Sequence, residues 1–126
     1  MWNEPNKERL DKIPRLYETE HLSLKEKIIH LHFFIGDTDF FICEYDGEDT
    51  FWGFVVLNAD LEMAEWGYIN FTELKSIKIG RGIEIDCELE RFWRIRPAKD
   101  VDLICKAQGW HQKSHKPEKQ KANIDG

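Results

Sequence analysis

The stretch KIIHLHFFIGDTDFFICEYDGEDTFWGFVVL, residues 27–57, decides the fold. From Lys27 to Ile35 the apolar residues Ile29, Leu31, Phe33 and Ile35 fall at alternate positions, with His30, His32 and Phe34 between them. A period of two is that of a strand with unlike faces. Gly36-Asp37-Thr38-Asp39 then supplies a turn, and Phe40 to Tyr45 a second, aromatic strand. Asp46-Gly47-Glu48-Asp49 reads as a hairpin loop, because Asp-Gly readily takes the positive φ that a tight connection needs. Phe51 to Leu57 returns as a third strand, where Gly53 either weakens the strand or lets another backbone come close.

Outward from this stretch, Asn58 to Ala64 is a polar turn and Glu65 to Asn70 a fourth strand carrying Trp66 and Tyr68. Short connections between consecutive strands make a meander. Asn70, with Glu73 three residues later, marks a helix start, and Phe71, Leu74 and Ile77 recur at helical spacing behind it. Gly80 and Gly82 precede a run in which Ile83, Ile85, Cys87 and Leu89 alternate with Glu84, Asp86, Glu88 and Glu90. That predicts a continuous strand with one buried and one wet face. After Pro97, Val101, Ile104 and Cys105 share one side of a final helix that ends at Gly109. Residues 1–15 offer only Trp2, Leu10 and Ile13 as large apolar anchors, so a short helix or loop ends near Pro14. The fold class expected is α+β, an antiparallel meander sheet of about five strands with one to three short helices. Residues 1–110 form one domain and residues 111–126 a flexible basic tail.

The composition bounds the function. At 126 residues and 41% hydrophobic, the chain can bury a core without staples. Cys43, Cys87 and Cys105 are odd in number and lack a C-x-x-C spacing, which fits reduced, buried thiols. No apolar run approaches the ~20 residues that cross a bilayer, and MWNEPNKERLDK at the start is too polar for a signal peptide. A cytoplasmic protein without a membrane partner is expected. The net charge of −6 argues against binding nucleic acid through the whole surface. Between Ile28 and Leu74 there is no Lys or Arg, while Asp37, Asp39, Glu44, Asp46, Glu48, Asp49, Asp60, Glu62, Glu65 and Glu73 all fall there. Arg91, Arg94, Arg96 and Lys99 follow, and Lys106, Lys113, Lys116, Lys119 and Lys121 run toward the end.

The blocks LYETE at 16–20, HLHFF at 30–34, EYDGED at 44–49, FWGF at 51–54 and WGYINFTEL at 66–74 resemble, in that order, the bacterial domain of unknown function 2958 family. The resemblance spans roughly residues 16–100. It implies an accessory protein of plasmids, integrative elements or phages, of a kind that counters host defence by an anti-restriction or anti-CRISPR action, and it brings no functional residues with it.

No nucleophile elbow, P-loop or dinucleotide fingerprint is present, so no catalytic residue and no cofactor is assigned. His30 and His32, ~6.6 Å apart on one strand face, could offer two imidazoles to zinc or manganese, with Glu44 or Asp46 from the next strand. That is the alternative reading, a metal-dependent hydrolase. Set against it are two half-exposed histidines on a wet face. The EYDGED loop lacks the length and terminal Glu of an EF-hand and reads as a solvated hairpin tip. The row Glu84, Asp86, Glu88 and Glu90 is spaced ~6.6 Å, too widely to share one cation. It could imitate phosphates, or serve as the charged wet face of an edge strand. Arg91, Arg94 and Arg96 beside Phe92 and Trp93, together with the lysine tail, give a third reading, direct nucleic-acid binding.

The leading expectation is a non-enzymatic binding protein. Asp37, Asp39, Glu44, Asp46, Glu48, Asp49, Asp60 and Glu62, with Glu84, Asp86, Glu88 and Glu90, would present a negative surface to a basic, nucleic-acid-handling partner protein.

Overall fold

The computed structural model describes residues 3–79 and 82–110. A five-stranded antiparallel sheet is built from β2 (Leu31–Ile35), β3 (Thr38–Tyr45), β4 (Thr50–Val56), β5 (Glu65–Asn70) and β8 (Asp86–Cys87), in the order β5-β4-β3-β2-β8. The first four strands run as the expected meander. Three short helices accompany them: α1 (Lys7–Asp11), α2 (Phe71–Ser76) and α3 (Asp102–Gln108). Two small ladders complete the architecture, β1 (Ile28–Ile29) with β9 (Arg96–Pro97), and β6 (Lys78–Ile79) with β7 (Ile83–Glu84). The architecture is α+β.

Apolar residues line both faces of the sheet. Phe33, Phe51 and Phe71 centre one layer, joined by Leu31, Ile42, Leu74 and Ile85. Ile29, Phe41, Phe54, Val56 and Ile104 form the other, where Trp93 donates its indole N–H to the Ile29 carbonyl at 3.0 Å. Double coverage explains why β3 is buried from Phe40 through Tyr45 instead of alternating.

The local signals locate the helices. Asn70 caps α2 by accepting the Glu73 N–H at 2.9 Å, and Gly109 closes α3 with φ of 72°. At the hairpin tip the Asp46 carboxylate accepts three backbone N–H groups, from Glu48, Asp49 and Thr50, while Gly47 takes φ of 90°. Of the two readings of Gly53, close approach holds, since a Cβ there would lie 1.9 Å from the Phe41 carbonyl oxygen.

Two expected strands differ. The run from Lys27 to Ile35 breaks at His30. Ile29 pairs with Arg96 in the small ladder and packs in the second layer, while Leu31, Phe33 and Ile35 pack in the first. The run from Ile83 to Leu89 is not one strand. It changes partner at Ile85, from β6 to β2, and turns after Leu89. Ile83 is 52% exposed, so the period of two there reflects burial of Ile85 and Cys87 alone. Residues 111–126, with the expected basic tail, lie outside the described residues.

Candidate functional site

Among the described residues the sheet has two edge strands, the two-residue β8 and the six-residue β5, and β5 is the longer free edge. It pairs with β4 in unbroken register from Thr50↔Asn70 to Val55↔Glu65, and among the described residues nothing pairs with its other side. Edge strands normally carry Lys, Pro or a bulge that blocks further pairing. β5 has none of these in EWGYIN.

A groove of about 280 Å3 runs beside this edge. Val55, Gly67 and Ile69 give it a floor from β4 and β5, α2 adds Glu73 and Leu74, Ile77 follows directly after that helix, and Leu57 and Met63 come from the loop between the strands. Gly67 keeps the floor open, because a Cβ at that position would meet nothing within 4 Å. Glu65 and Glu73 are the charged residues of the lining, and no Lys or Arg contributes to it. Leu57 is 55% and Met63 74% exposed. Their loop holds Asn58 and Ala59 at φ of 52° and 60°, a conformation that costs a non-glycine residue about 1 kcal/mol or more. It is fastened by the Ala59 N–H on the Asp37 carbonyl (2.8 Å) and the Asn58 N–H on the Thr38 hydroxyl (3.0 Å). These bonds bring exposed Asp37 to the same end of the sheet as exposed Asp60 and Glu62.

On the opposite face of β4 and β5 lies a second pocket, of about 190 Å3, walled by Tyr17, Trp52 and Tyr68, floored by Lys27 and Glu44, and flanked by Glu20. A β-bulge builds it. β3 and β4 pair Ile42 with Gly53 and then Glu44 with Trp52, so Cys43 is an extra residue and Glu44 arrives beside Trp52 instead of in the phenylalanine layer. Glu44 is almost fully buried. It accepts the backbone N–H of Tyr17 (2.9 Å) and Thr19 (3.2 Å) and a short bond from the Thr19 hydroxyl. Lys27, equally buried, donates to the Thr19 carbonyl (2.5 Å) and hydroxyl (2.9 Å), stands 4.0 Å from Glu44, and lies over the Trp52 ring at 5.4 Å. Tyr17 takes φ of 71° to offer its N–H, and its hydroxyl meets that of Tyr68 at 2.8 Å. Trp52 stacks on Trp66, whose indole N–H donates to Gln108 of α3.

The acidic residues singled out in the sequence divide into two groups. Asp37, Glu48, Asp60 and Glu62 stay exposed, with Asp60 also accepting the Met63 N–H at 3.2 Å in its own loop. The others take structural partners: Asp39 and Glu88 bond His32, Glu44 holds the Tyr17–Thr19 turn, Asp46 caps the hairpin, and Asp49 accepts the Thr72 N–H and hydroxyl at the start of α2. Asp86 accepts the Asn3 and Cys87 N–H groups, and Glu90 stands 3.8 Å from Lys12. Glu84 lies on β7, in a different ladder from Asp86, so the four do not form one straight row. The Asp46 carboxyl is held below the usual range: its slight burial acts upward, but the N–H groups of Thr50, Glu48 and Asp49 outweigh it.

The histidines do not converge. Each ring nitrogen of His32 is 2.7 Å from a carboxylate oxygen, of Glu88 or of Asp39, and the ring stacks on Phe41 at 4.6 Å. A metal would have to displace one of those bonds. His30 lies at the break between β1 and β2, and burial lowers its pKa. No group of three or more His, Cys, Asp or Glu positioned for a metal occurs among the described residues. Cys43 and Cys87 are buried, which pushes both thiols up, Cys87 to about 11. Such thiols are inert as nucleophiles. Arg96 stacks on Trp93 and donates to the Asp100 and Arg94 carbonyls, and Arg91 lies over Phe92.

The groove was only partly visible in sequence. Glu65 and Glu73 stood in the Lys- and Arg-free stretch, but nothing in the chain announced that β5 would be left at the edge. No helix among the described residues is long and apolar enough to cross a membrane. Comparisons with protein-family models, with curated proteins and with solved structures find no match to this chain.

Proposed function

We propose that the protein is a binding module that captures an extended, basic segment of a partner protein along β5. One observation carries this reading: an unblocked, regular edge strand lies beside an apolar groove whose charged lining is wholly acidic. An added strand would draw affinity from main-chain hydrogen bonds and specificity from pockets that receive alternate side chains. Leu57 and Met63 supply apolar contact, and Glu65, Glu73, Asp60 and Glu62 attract Lys or Arg and repel acidic competitors.

The reading keeps the acidic surface expected from sequence but confines it to the β5 side. The phosphate-imitating row is not part of it, because Glu84 and Asp86 sit in different ladders and Asp86 and Glu88 bond within the fold. Nucleic-acid-handling proteins carry the exposed Lys and Arg that such a groove would recognise, and capture of one in a host defence system fits the mobile-element role that the resemblance implies.

The test is the binding of a short peptide of alternating valine and arginine, followed by tryptophan fluorescence. Binding should weaken with added salt, weaken about tenfold in the Glu65→Gln/Glu73→Gln double variant, and vanish in Gly67→Val, which fills the groove while keeping a strand-favouring residue. Equal binding of a valine–glutamate peptide, or full binding by Gly67→Val, would overturn the reading.

A further inference from the structure

We infer that the pocket of Tyr17, Trp52 and Tyr68 is an arginine subsite for the segment that pairs with β5. The inference rests on the reading above and extends it to the other face of the strand. Successive residues of an extended segment project to opposite sides of a sheet. A residue that fills the groove therefore has neighbours directed across Tyr68 toward this pocket. Tyr68 borders both cavities, which lie on either side of the same edge.

The chemistry of the pocket selects the side chain. At its floor, Lys27 spends two donors on Thr19 and Glu44 accepts from three donors, so these two charges are largely answered within the protein. Glu20, exposed at the rim, has no hydrogen bond or ion pair among the described residues. The charge offered to a visitor is thus negative and lies at the mouth. The faces of Tyr17 and Tyr68 add the negative side of their ring quadrupoles, which attracts cations. Trp52 is less available, being covered by Trp66 on its stacked face and approached by the Lys27 ammonium.

A compact ammonium drawn to the floor would meet Lys27. A guanidinium can stop at the rim, lying flat on a tyrosine ring while its edge donates to the Glu20 carboxylate, a geometry that a lysine cannot reproduce. The reach also favours arginine, since the side chain has to cross Tyr68 from the strand edge. The site is preformed: Tyr17 is fixed by its N–H on Glu44 and by the hydroxyl pair with Tyr68, so little ordering is left for binding to supply.

The test uses single-residue probes, which cannot pair with β5 and so read the pocket alone. N-acetyl-arginine methylamide, its lysine counterpart and its uncharged citrulline counterpart are each titrated while the ring resonances of Tyr17 and Tyr68 are followed by NMR. The arginine probe should shift both rings saturably, with the other two at least about tenfold weaker. Glu20→Gln should cost the arginine probe a similar factor while leaving the Tyr17–Tyr68 signals of the free protein in place. Equal affinity for arginine and citrulline, no shift of either ring, or indifference to Glu20→Gln would overturn the subsite. Peptide capture that Gly67→Val abolishes, combined with any of those results, would overturn the subsite alone and leave the edge reading standing. Saturable arginine binding without peptide capture would overturn the edge reading instead.

Discussion

The two faces of one sheet are both lined by apolar residues but differ in what else they bury. The face under α2 is closed by phenylalanine packing, with Phe33, Phe51 and Phe71 at centroid distances of 5.0 to 5.9 Å, and its opening is the groove that Gly67 leaves beside β5. The other face holds an almost fully buried Lys27 and Glu44, reached through a bulge and a left-handed tyrosine. Apolar packing gains free energy with every buried group. A buried ion pair recovers its desolvation cost only when every donor and acceptor is engaged. The first face therefore tolerates gradual change, and the second, beside its own apolar layer, also depends on a few exact bonds.

Mutations sharpen the contrast. The largest loss is expected from Gly53→Ala, at the crossing where β3 and β4 slip. A methyl 1.9 Å from the Phe41 oxygen forces the backbones apart and should cost about 4 kcal/mol, read by urea unfolding. If Gly53→Ala is as stable as the parent, the bulge is not as tight as described. Next comes Lys27→Met, which strands Glu44 with its backbone donors but without a counter-charge. About 3 kcal/mol should be lost, and the Lys27→Met/Glu44→Gln double variant should regain part of it, a coupling that additive losses would contradict.

The smallest effect is a pH dependence at His30. Burial favours its neutral form, so the unfolded chain takes up a proton first as the solution is acidified. Its contribution is complete above the ordinary histidine value of about 6.5 and is lost as pH falls through the lowered folded value. Thermal stability of the parent should thus decline more than that of His30→Gln between about pH 7 and about pH 5. Parallel curves would show that burial of His30 has no such consequence.

The same contrast explains what could be read from the chain. The meander, the Asp46-Gly47 tip, the Asn70 cap and the Gly109 terminus are local signals, and each is found where its residues stand. The bulge at Cys43 is not local, because it exists only relative to β4, and the run Phe40 to Tyr45 gives no sign of it beyond a Glu among apolar neighbours. Glu44 in that aromatic strand is the one clue: its charge suggests a surface position, and the structure makes it the anchor of a buried turn. Ile83 to Glu90 is the opposite case: a clean period of two arises there from a segment that changes partners. The acidic stretch was legible as composition. Which carboxylates are spent inside the fold depends on long-range partners such as His32 with Glu88, or Thr72 with Asp49, and sequence spacing does not reveal these.

The edge-capture account meets its most direct test in hydrogen exchange of β5. On addition of the valine–arginine peptide, the amides of Glu65–Asn70 that are not bonded to β4 should slow by about tenfold or more, as free edge groups gain carbonyl partners. Binding that leaves the exchange of those amides unchanged would contradict it.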